Sequence, residues 1–233
     1  MTPAYDLLLF AVLPYAAAVL CLVTTVERYV RHGSSITSMS SQLLENRLHF
    51  WALVPFHAGI LLVLLGHVVA FVVPSTVLAW NAQPLRLYVL EAAAFAGGLL
   101  ALGGFLAVTL RRVSVIPVRQ GTHWIDWIVY AVVLAQLATG VLVAMLYPWG
   151  SSWFAAAVVP YLRSLVLLQP EIAAATALPV LAQLHLTGTW VLVALFPFSR
   201  LVHIIVVPNP YLWRAPQVVR WIRRPALVHG RKP

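Results

Sequence analysis

The sequence predicts an all-α integral membrane protein, a bundle of five transmembrane helices. Of its 233 residues, 62% are hydrophobic and only 9% are charged, whereas soluble domains hold about 25% charged residues. Five apolar segments also have the roughly 20 residues that a helix needs to cross a bilayer. They cover residues 5–27, 50–73, 87–110, 125–147 and 179–207.

Two segments need a separate interpretation. Residues 1–30 do not show the basic start, short apolar core and small-residue cleavage site of a signal peptide, so a retained first helix is expected. Residues 149–178 contain a sixth apolar run, but Pro160 and Arg163 interrupt it, and a surface loop with an interfacial helix is expected there. The one cysteine, Cys21, excludes an internal disulfide and is interpreted as a small hydrophobic side chain.

The distribution of basic residues predicts the orientation. If the N-terminus is outside and the C-terminus cytoplasmic, all of the 15 lysines and arginines except Arg86 and Arg163 lie in inner segments, as the positive-inside rule requires. The net charge of +9 then lies where anionic lipid headgroups and a cytoplasmic partner meet it, so no nucleic acid is implied. The chain divides into a transmembrane domain, residues 1–207, and a basic cytoplasmic tail, residues 208–233. This tail is expected to bind a partner, with a disordered lipid-facing segment as the alternative.

Four histidines lie inside apolar helices. The stretch FHAGILLVLLGHVVAF (56–71) places His57 and His67 in the second span, and QLHLTGTWVLVALFPFSRLVHI (183–204) places His185 and His203 in the fifth. Because these spans are antiparallel, His67 and His185 belong to the outer level and His57 and His203 to the inner one. Two imidazoles facing each other across a bundle suit a six-coordinate b-type haem. The sequence therefore predicts two such haems, with His185 and His203 on one face of a continuous helix, five turns or ~27 Å apart.

Other interpretations of these side chains stay open. A single membrane histidine often makes a helix-to-helix hydrogen bond, and a chain of histidines can relay protons. Zinc is disfavoured because no cysteine or carboxylate joins either pair. Arg112 and Arg200 are either anchors at the inner surface or partners of haem propionates, since a guanidinium matches a carboxylate. No residue is predicted to act as a nucleophile.

The histidine segments, together with FPFSRLVHI (196–204), SSQLL (40–44), FAGG (95–98) and the five-span layout, resemble the gamma (cytochrome b) subunit of respiratory nitrate reductase nearly end to end. The resemblance implies a di-haem anchor in the inner (cytoplasmic) membrane that oxidises menaquinol or ubiquinol. Electrons would pass inward through two b haems to an iron–sulfur beta subunit and a molybdenum-containing alpha subunit that reduces nitrate. It also implies the same axial pairs, His67 with His185 and His57 with His203.

One position departs from that family. Its members carry a lysine, associated with the quinol site, four residues before the phenylalanine of FAGG, and here that residue is Glu91. We expect Glu91 and Gly66 to line the quinol site, with Glu91 accepting a proton or hydroxyl hydrogen bond; an ordinary interfacial carboxylate is the alternative. The chain has no cysteine set for an iron–sulfur cluster, so it is not the nitrate-reducing subunit. Two other functions remain open: a di-haem anchor of a sulfite- or heterodisulfide-linked reductase, and a haem-free transporter.

Overall fold

The computed structural model describes residues 3–32, 47–202 and 204, with the side chains of residues 32 and 47–49 left aside. The described residues contain five helices long and apolar enough to cross a membrane and no strand, which confirms the all-α, five-span prediction. Spans 1 to 5 are Pro3–Arg31, Phe50–Val72, Pro84–Ser114, Trp124–Leu146 and Val180–Phe198. His203 and the predicted tail, residues 208–233, lie outside the described residues, and the orientation in the membrane stays a prediction.

Prolines set many of the helix boundaries. Pro14 follows a wide π-helical turn in span 1, where the ring lacks the N–H that a regular turn would use. Pro74 and Pro84 begin their helices, a position at which the missing donor costs nothing. In chain order the helical segments are Pro3–Leu7, Leu8–Val12 (π), Leu13–His32, Arg47–Val72, Pro74–Asn81, Pro84–Ser114, Ile116–Gln120, Trp124–Leu146, Gly150–Trp153, Phe154–Val158 (π), Val159–Val166, Ala173–Thr176, Val180–Leu195, and the 3-10 turns Phe196–Phe198 and Arg200–Val202.

Span 5 is shorter than predicted and is not one continuous α-helix. The α-helix ends at Leu195, and two 3-10 turns follow it. Between these turns Ser199 is extended (φ −100°, ψ 172°), and Pro197 has no N–H to continue the helical ladder. The expectation of one continuous α-helix from His185 toward His203 is therefore wrong, while His203 itself lies outside the described residues.

The segment between spans 4 and 5 is more buried than the expected surface loop. Residues 150–166, here called the cap, form successive helical segments, and Tyr161 in them is completely buried. Its hydroxyl donates to Phe10 O of span 1 at 2.9 Å, and burial raises the pKa of Tyr161 to about 12, so this donor stays protonated. Arg163 donates to Phe71 O and Val72 O at the end of span 2. The cap thus ties the ends of spans 1 and 2 together.

The spans form a row in the order 1, 5, 4, 3, 2, in which spans 2 and 3 have the most extensive contact. Glycines let their backbones touch. A Cβ placed on Gly59 would collide with Gly97 O and Ala101 N, and one placed on Gly104 would collide with Phe56 N. Such small-residue contacts hold membrane helices together where the hydrophobic effect between helices is absent.

Along the helix axes the bundle has two ends, and we name each end after a carboxylate that lies there. At the Glu91 end lie the cap and the start of span 1; at the Asp126 end lie the C-termini of spans 3 and 5 and the start of span 4.

Gly104→Ala should reduce the free energy of unfolding by about 1–3 kcal/mol, because the new methyl group overpacks against backbone that cannot move aside. Gly103→Ala is the matched control, since a Cβ there meets nothing within 4 Å. Equilibrium unfolding in detergent micelles measures both variants. Equal stability of the two would contradict the backbone contact.

Candidate functional site

The two histidines of span 2 hold their imidazoles in the same way. Nδ1 of His57 lies 2.9 Å from Leu53 O, and Nδ1 of His67 lies 2.8 Å from Val63 O. A carbonyl only accepts, so each Nδ1 carries the proton and each Nε2 keeps its lone pair. Both rings are exposed on a transmembrane helix. This arrangement, with Nδ1–H bonded and Nε2 bare, is the one in which an imidazole binds a metal.

His185 is held from the neighbouring span instead. Its Nδ1 lies 3.1 Å from Thr139 Oγ1, and its Nε2 lies 3.5 Å from Gln136 Nε2. Gln136 also donates to His185 O and to Thr189 Oγ1, both at 2.9 Å. The ring lies against Gly140, where an added Cβ would come within 2.9 Å of His185 Cε1. Span 4 thus fixes the position of this imidazole.

The structure brings His67 and His185 into the same region. They are near enough for an electrostatic interaction between the two imidazoles, although spans 2 and 5 are not neighbours in the row. Phe154 of the cap contacts His67 edge-on, with ring centroids 5.0 Å apart. The second predicted pair cannot be compared in this way, since His203 lies outside the described residues; His57 itself contacts Phe56.

Glu91 lies beside the start of the cap. Its Oε1 accepts hydrogen bonds from Ser151 N at 2.8 Å and from Ser151 Oγ at 2.6 Å. Asn81 Nδ2 donates in turn to Ser151 Oγ and Ser152 Oγ, each at 2.9 Å. The carboxylate therefore meets a helix N-terminus, where negative charge is favoured. It is a structural acceptor through Oε1, and no described residue forms a hydrogen bond with Oε2.

Gly66 lies next to His67 and borders open space. A Cβ placed on Gly66 would meet nothing within 4 Å. Spans 2 and 3 are antiparallel, and Gly97 faces Leu62 and Val63. Glu91 precedes Gly97 in span 3 and therefore lies close to the level of His67, which follows Val63 in span 2. The two residues predicted for the quinol site thus lie on adjacent helices near the same histidine.

The Asp126 end holds a buried charged cluster that contains both predicted propionate partners. Asp126 Oδ2 lies 2.8 Å from Arg200 Nη2 and 3.8 Å from Arg112 Nη1, and it accepts from His123 N at 3.0 Å at the start of span 4. Arg112 also lies over the Tyr130 ring, 4.8 Å from its centroid. One carboxylate thus organises two cations from different spans.

Arginines outnumber carboxylates among the described contacts of this cluster. Arg112 is only 8% exposed, and with Arg200 it places two cations beside the single carboxylate of Asp126. The buried Nε of Arg112 has no hydrogen-bond partner in the described part of the chain. A buried donor without a partner is costly, so the guanidinium of Arg112 suits a further anion, and an Arg fork fits a carboxylate.

The sequence interpretation missed Asp126, Gln136 and Thr139. Asp126 carried a usable signal, since it stands three residues after the helix-preceding His123, the spacing of a capping box. Gln136 and Thr139 in span 4 carried no such signal, because threonine and glutamine in membrane helices commonly form hydrogen bonds within their own helix or between helices.

Comparison with known proteins identifies the family. The sequence model of the nitrate reductase gamma subunit family matches residues 6–222. The chain is 27% identical over 216 residues to the nitrate reductase gamma chain of Bacillus subtilis (91% of this chain, 97% of that one). It is 29% identical over 220 residues to the respiratory nitrate reductase 1 gamma chain of Escherichia coli (92% and 97%). The nitrate reductase-like protein NarX of Mycobacterium tuberculosis is 32% identical over 223 residues, which are 89% of this chain but 32% of that protein.

Asp126→Asn should lower the free energy of unfolding by about 3 kcal/mol, because it leaves Arg112 and Arg200 without their buried counter-charge. The control is Glu27→Gln, which removes the exposed pair with Arg31 and should change stability by less than about 0.5 kcal/mol. Unfolding titrations in detergent measure both. A loss no larger for Asp126→Asn than for Glu27→Gln would show that the cluster is not stabilising.

Proposed function

The chain belongs to the nitrate reductase gamma subunit family and is a multi-pass membrane subunit of a nitrate reductase complex, and we propose that it is the subunit that oxidises quinol. In this proposal it lies in the cytoplasmic membrane and delivers electrons to an iron–sulfur beta subunit and a molybdenum-containing alpha subunit. The family match favours nitrate reductase over the sulfite- and heterodisulfide-linked anchors that the sequence left open.

Two b haems fit the residues present, and the observation that carries this proposal is the state of the histidines in span 2. His57 and His67 each donate a hydrogen bond from Nδ1–H to a carbonyl of their own helix, which leaves the lone pair of Nε2 available. A bare, exposed imidazole nitrogen gains nothing from lipid, whereas it is an axial ligand for haem iron. His67 with His185 would hold one haem and His57 with His203 the other. When bound, the haems supply one-electron carriers, which lets a two-electron donor react with one-electron acceptors.

The cluster at the Asp126 end would receive the propionates of the inner haem. Arg112 brings a buried Nε without a partner among the described residues, a donor that suits a carboxylate. Arg200 lies beside it, since both arginines contact Asp126. Asp126 would keep both side chains in place before the haem enters.

Quinol would bind at the Glu91 end, near Gly66 and His67. Gly66 leaves open space beside the histidine, and Glu91 retains Oε2 to accept a hydrogen bond or a proton from the quinol hydroxyl. Quinol oxidation releases two protons, and a carboxylate at this place would accept one of them. With the predicted orientation, the protons leave on the outer side while electrons go inward, so charge crosses the membrane.

Replacing either histidine of an axial pair should remove the haem that this pair holds and keep the other haem. His67→Ala or His185→Ala should abolish one haem, and His57→Ala or His203→Ala the other, since an axial ligand is lost in each case. Reduced-minus-oxidised optical spectra of the purified complex measure haem content. His229→Ala, in the predicted tail, should keep both haems. A colourless wild-type complex from cells supplied with iron and porphyrin would overturn the proposed function.

Glu91→Gln should slow quinol oxidation by about 100-fold or more if the carboxylate takes up a proton in the reaction. The amide oxygen can still accept from Ser151 N and Ser151 Oγ, so the fold is preserved. Steady-state rates across pH measure the effect, with Glu171→Gln, an exposed carboxylate at the same end, as control. Matching wild-type and Glu91→Gln profiles would exclude the role.

A further inference from the structure

The hydroxyl of Thr139 acts on His185 as a hydrogen-bond acceptor. Thr139 Oγ1 lies 2.8 Å from Ala135 O and 3.1 Å from Gln136 O, so its single hydrogen goes to its own backbone. Its lone pairs then face His185 Nδ1 at 3.1 Å, which must carry a proton to complete this bond. Thr139 therefore fixes the tautomer with Nδ1–H and leaves the lone pair on Nε2.

The second contact of the ring agrees with that tautomer. Gln136 Nε2 lies 3.5 Å from His185 Nε2, so it approaches a nitrogen that accepts. The two hydrogens of Gln136 already go to His185 O and Thr189 Oγ1 at 2.9 Å, which makes the 3.5 Å contact the weakest of the three. An iron could replace it while the rest of the network stays intact.

This arrangement differs from that of span 2. His57 and His67 are oriented by carbonyls of their own helix, which no side-chain substitution removes. His185 depends on a side chain from another span, and Gly140 beside Thr139 leaves just enough room for the ring. The orientation and basicity of this one histidine can therefore be changed without touching the histidine itself.

We propose that Thr139, with Gly140 beneath the imidazole, is the positioning residue that aims Nε2 of His185 at the outer haem iron and tunes the potential of that haem alone. The inference rests on the proposed di-haem function. A hydrogen bond accepted from Nδ1–H makes the imidazole a stronger donor and stabilises ferric iron. Removing it should raise the midpoint potential of the outer haem and leave that of the inner haem unchanged.

The test uses the complete complex in membranes and compares Thr139→Val, Thr139→Ser and the matched control Thr109→Val. Thr109 is a membrane threonine whose hydroxyl bonds only to Phe105 O in the described structure. Potentiometric titration and electron paramagnetic resonance should show, for Thr139→Val, a higher potential and a shifted low-field ferric signal of the outer haem. Thr139→Ser, which keeps the acceptor, and Thr109→Val should match the wild type. Thr139→Ala removes the same acceptor if Thr139→Val does not accumulate.

A steric variant gives a second measure. Gly140→Ala brings a methyl group within 2.9 Å of His185 Cε1 and should shift the same ferric signal or lower the occupancy of the outer haem, whereas Gly103→Ala should do neither. An outer haem with unchanged potential and signal in Thr139→Val and Thr139→Ala would overturn the role of Thr139 while leaving the di-haem proposal intact. Absence of haem from the wild-type complex would instead remove the proposed function itself.

Discussion

Within a bilayer, polar groups must find their partners inside the protein. In the described spans several polar side chains meet this demand locally: Thr109, Thr139 and Thr189 each donate to a carbonyl four residues earlier, and the two histidines of span 2 do the same through Nδ1. A threonine is then satisfied, but an imidazole still has one lone pair left. Lipid offers no donor for that lone pair, and a metal ion needs one. The two histidines of span 2 therefore keep a lone pair for which the lipid supplies no hydrogen-bond donor.

The packing of the row decides which side chains remain exposed. Spans 2 and 3 lie backbone to backbone at Gly59 and Gly104, and span 5 lies between spans 1 and 4. Spans 2 and 5 are therefore held by different neighbours, and they place His67 and His185 in the same region, where the cap adds Phe154 beside His67. Two helices fixed separately on a common scaffold can present ligands to a flat group between them without having to pack against each other.

The sequence predicted the spans well because the length of an apolar run is a direct consequence of bilayer thickness. It also singled out the histidines, since a polar side chain in such a run is costly. It failed at the end of span 5, where Pro197 and Ser199 break the helix within residues 179–207, a mostly apolar run that predicts one span. It missed the burial of Tyr161 and the contact between Thr139 and His185 for a common reason: both depend on which span lies next to which, and an apolar pattern that faces lipid resembles one that faces another helix.

The charges at the Glu91 end and the Asp126 end of the bundle favour the proposed direction of electron transfer. At the Glu91 end a carboxylate is held against the first turn of the cap, so a proton released there meets a negative group. At the Asp126 end two arginines, Arg112 and Arg200, contact one carboxylate, so an electron that arrives there in the proposed function would be attracted by these guanidinium groups. In a medium of low dielectric constant such fields act over the width of the membrane domain with little screening. In the proposed function, protons and electrons from the same quinol would therefore be drawn to opposite ends of the protein by its own fixed charges.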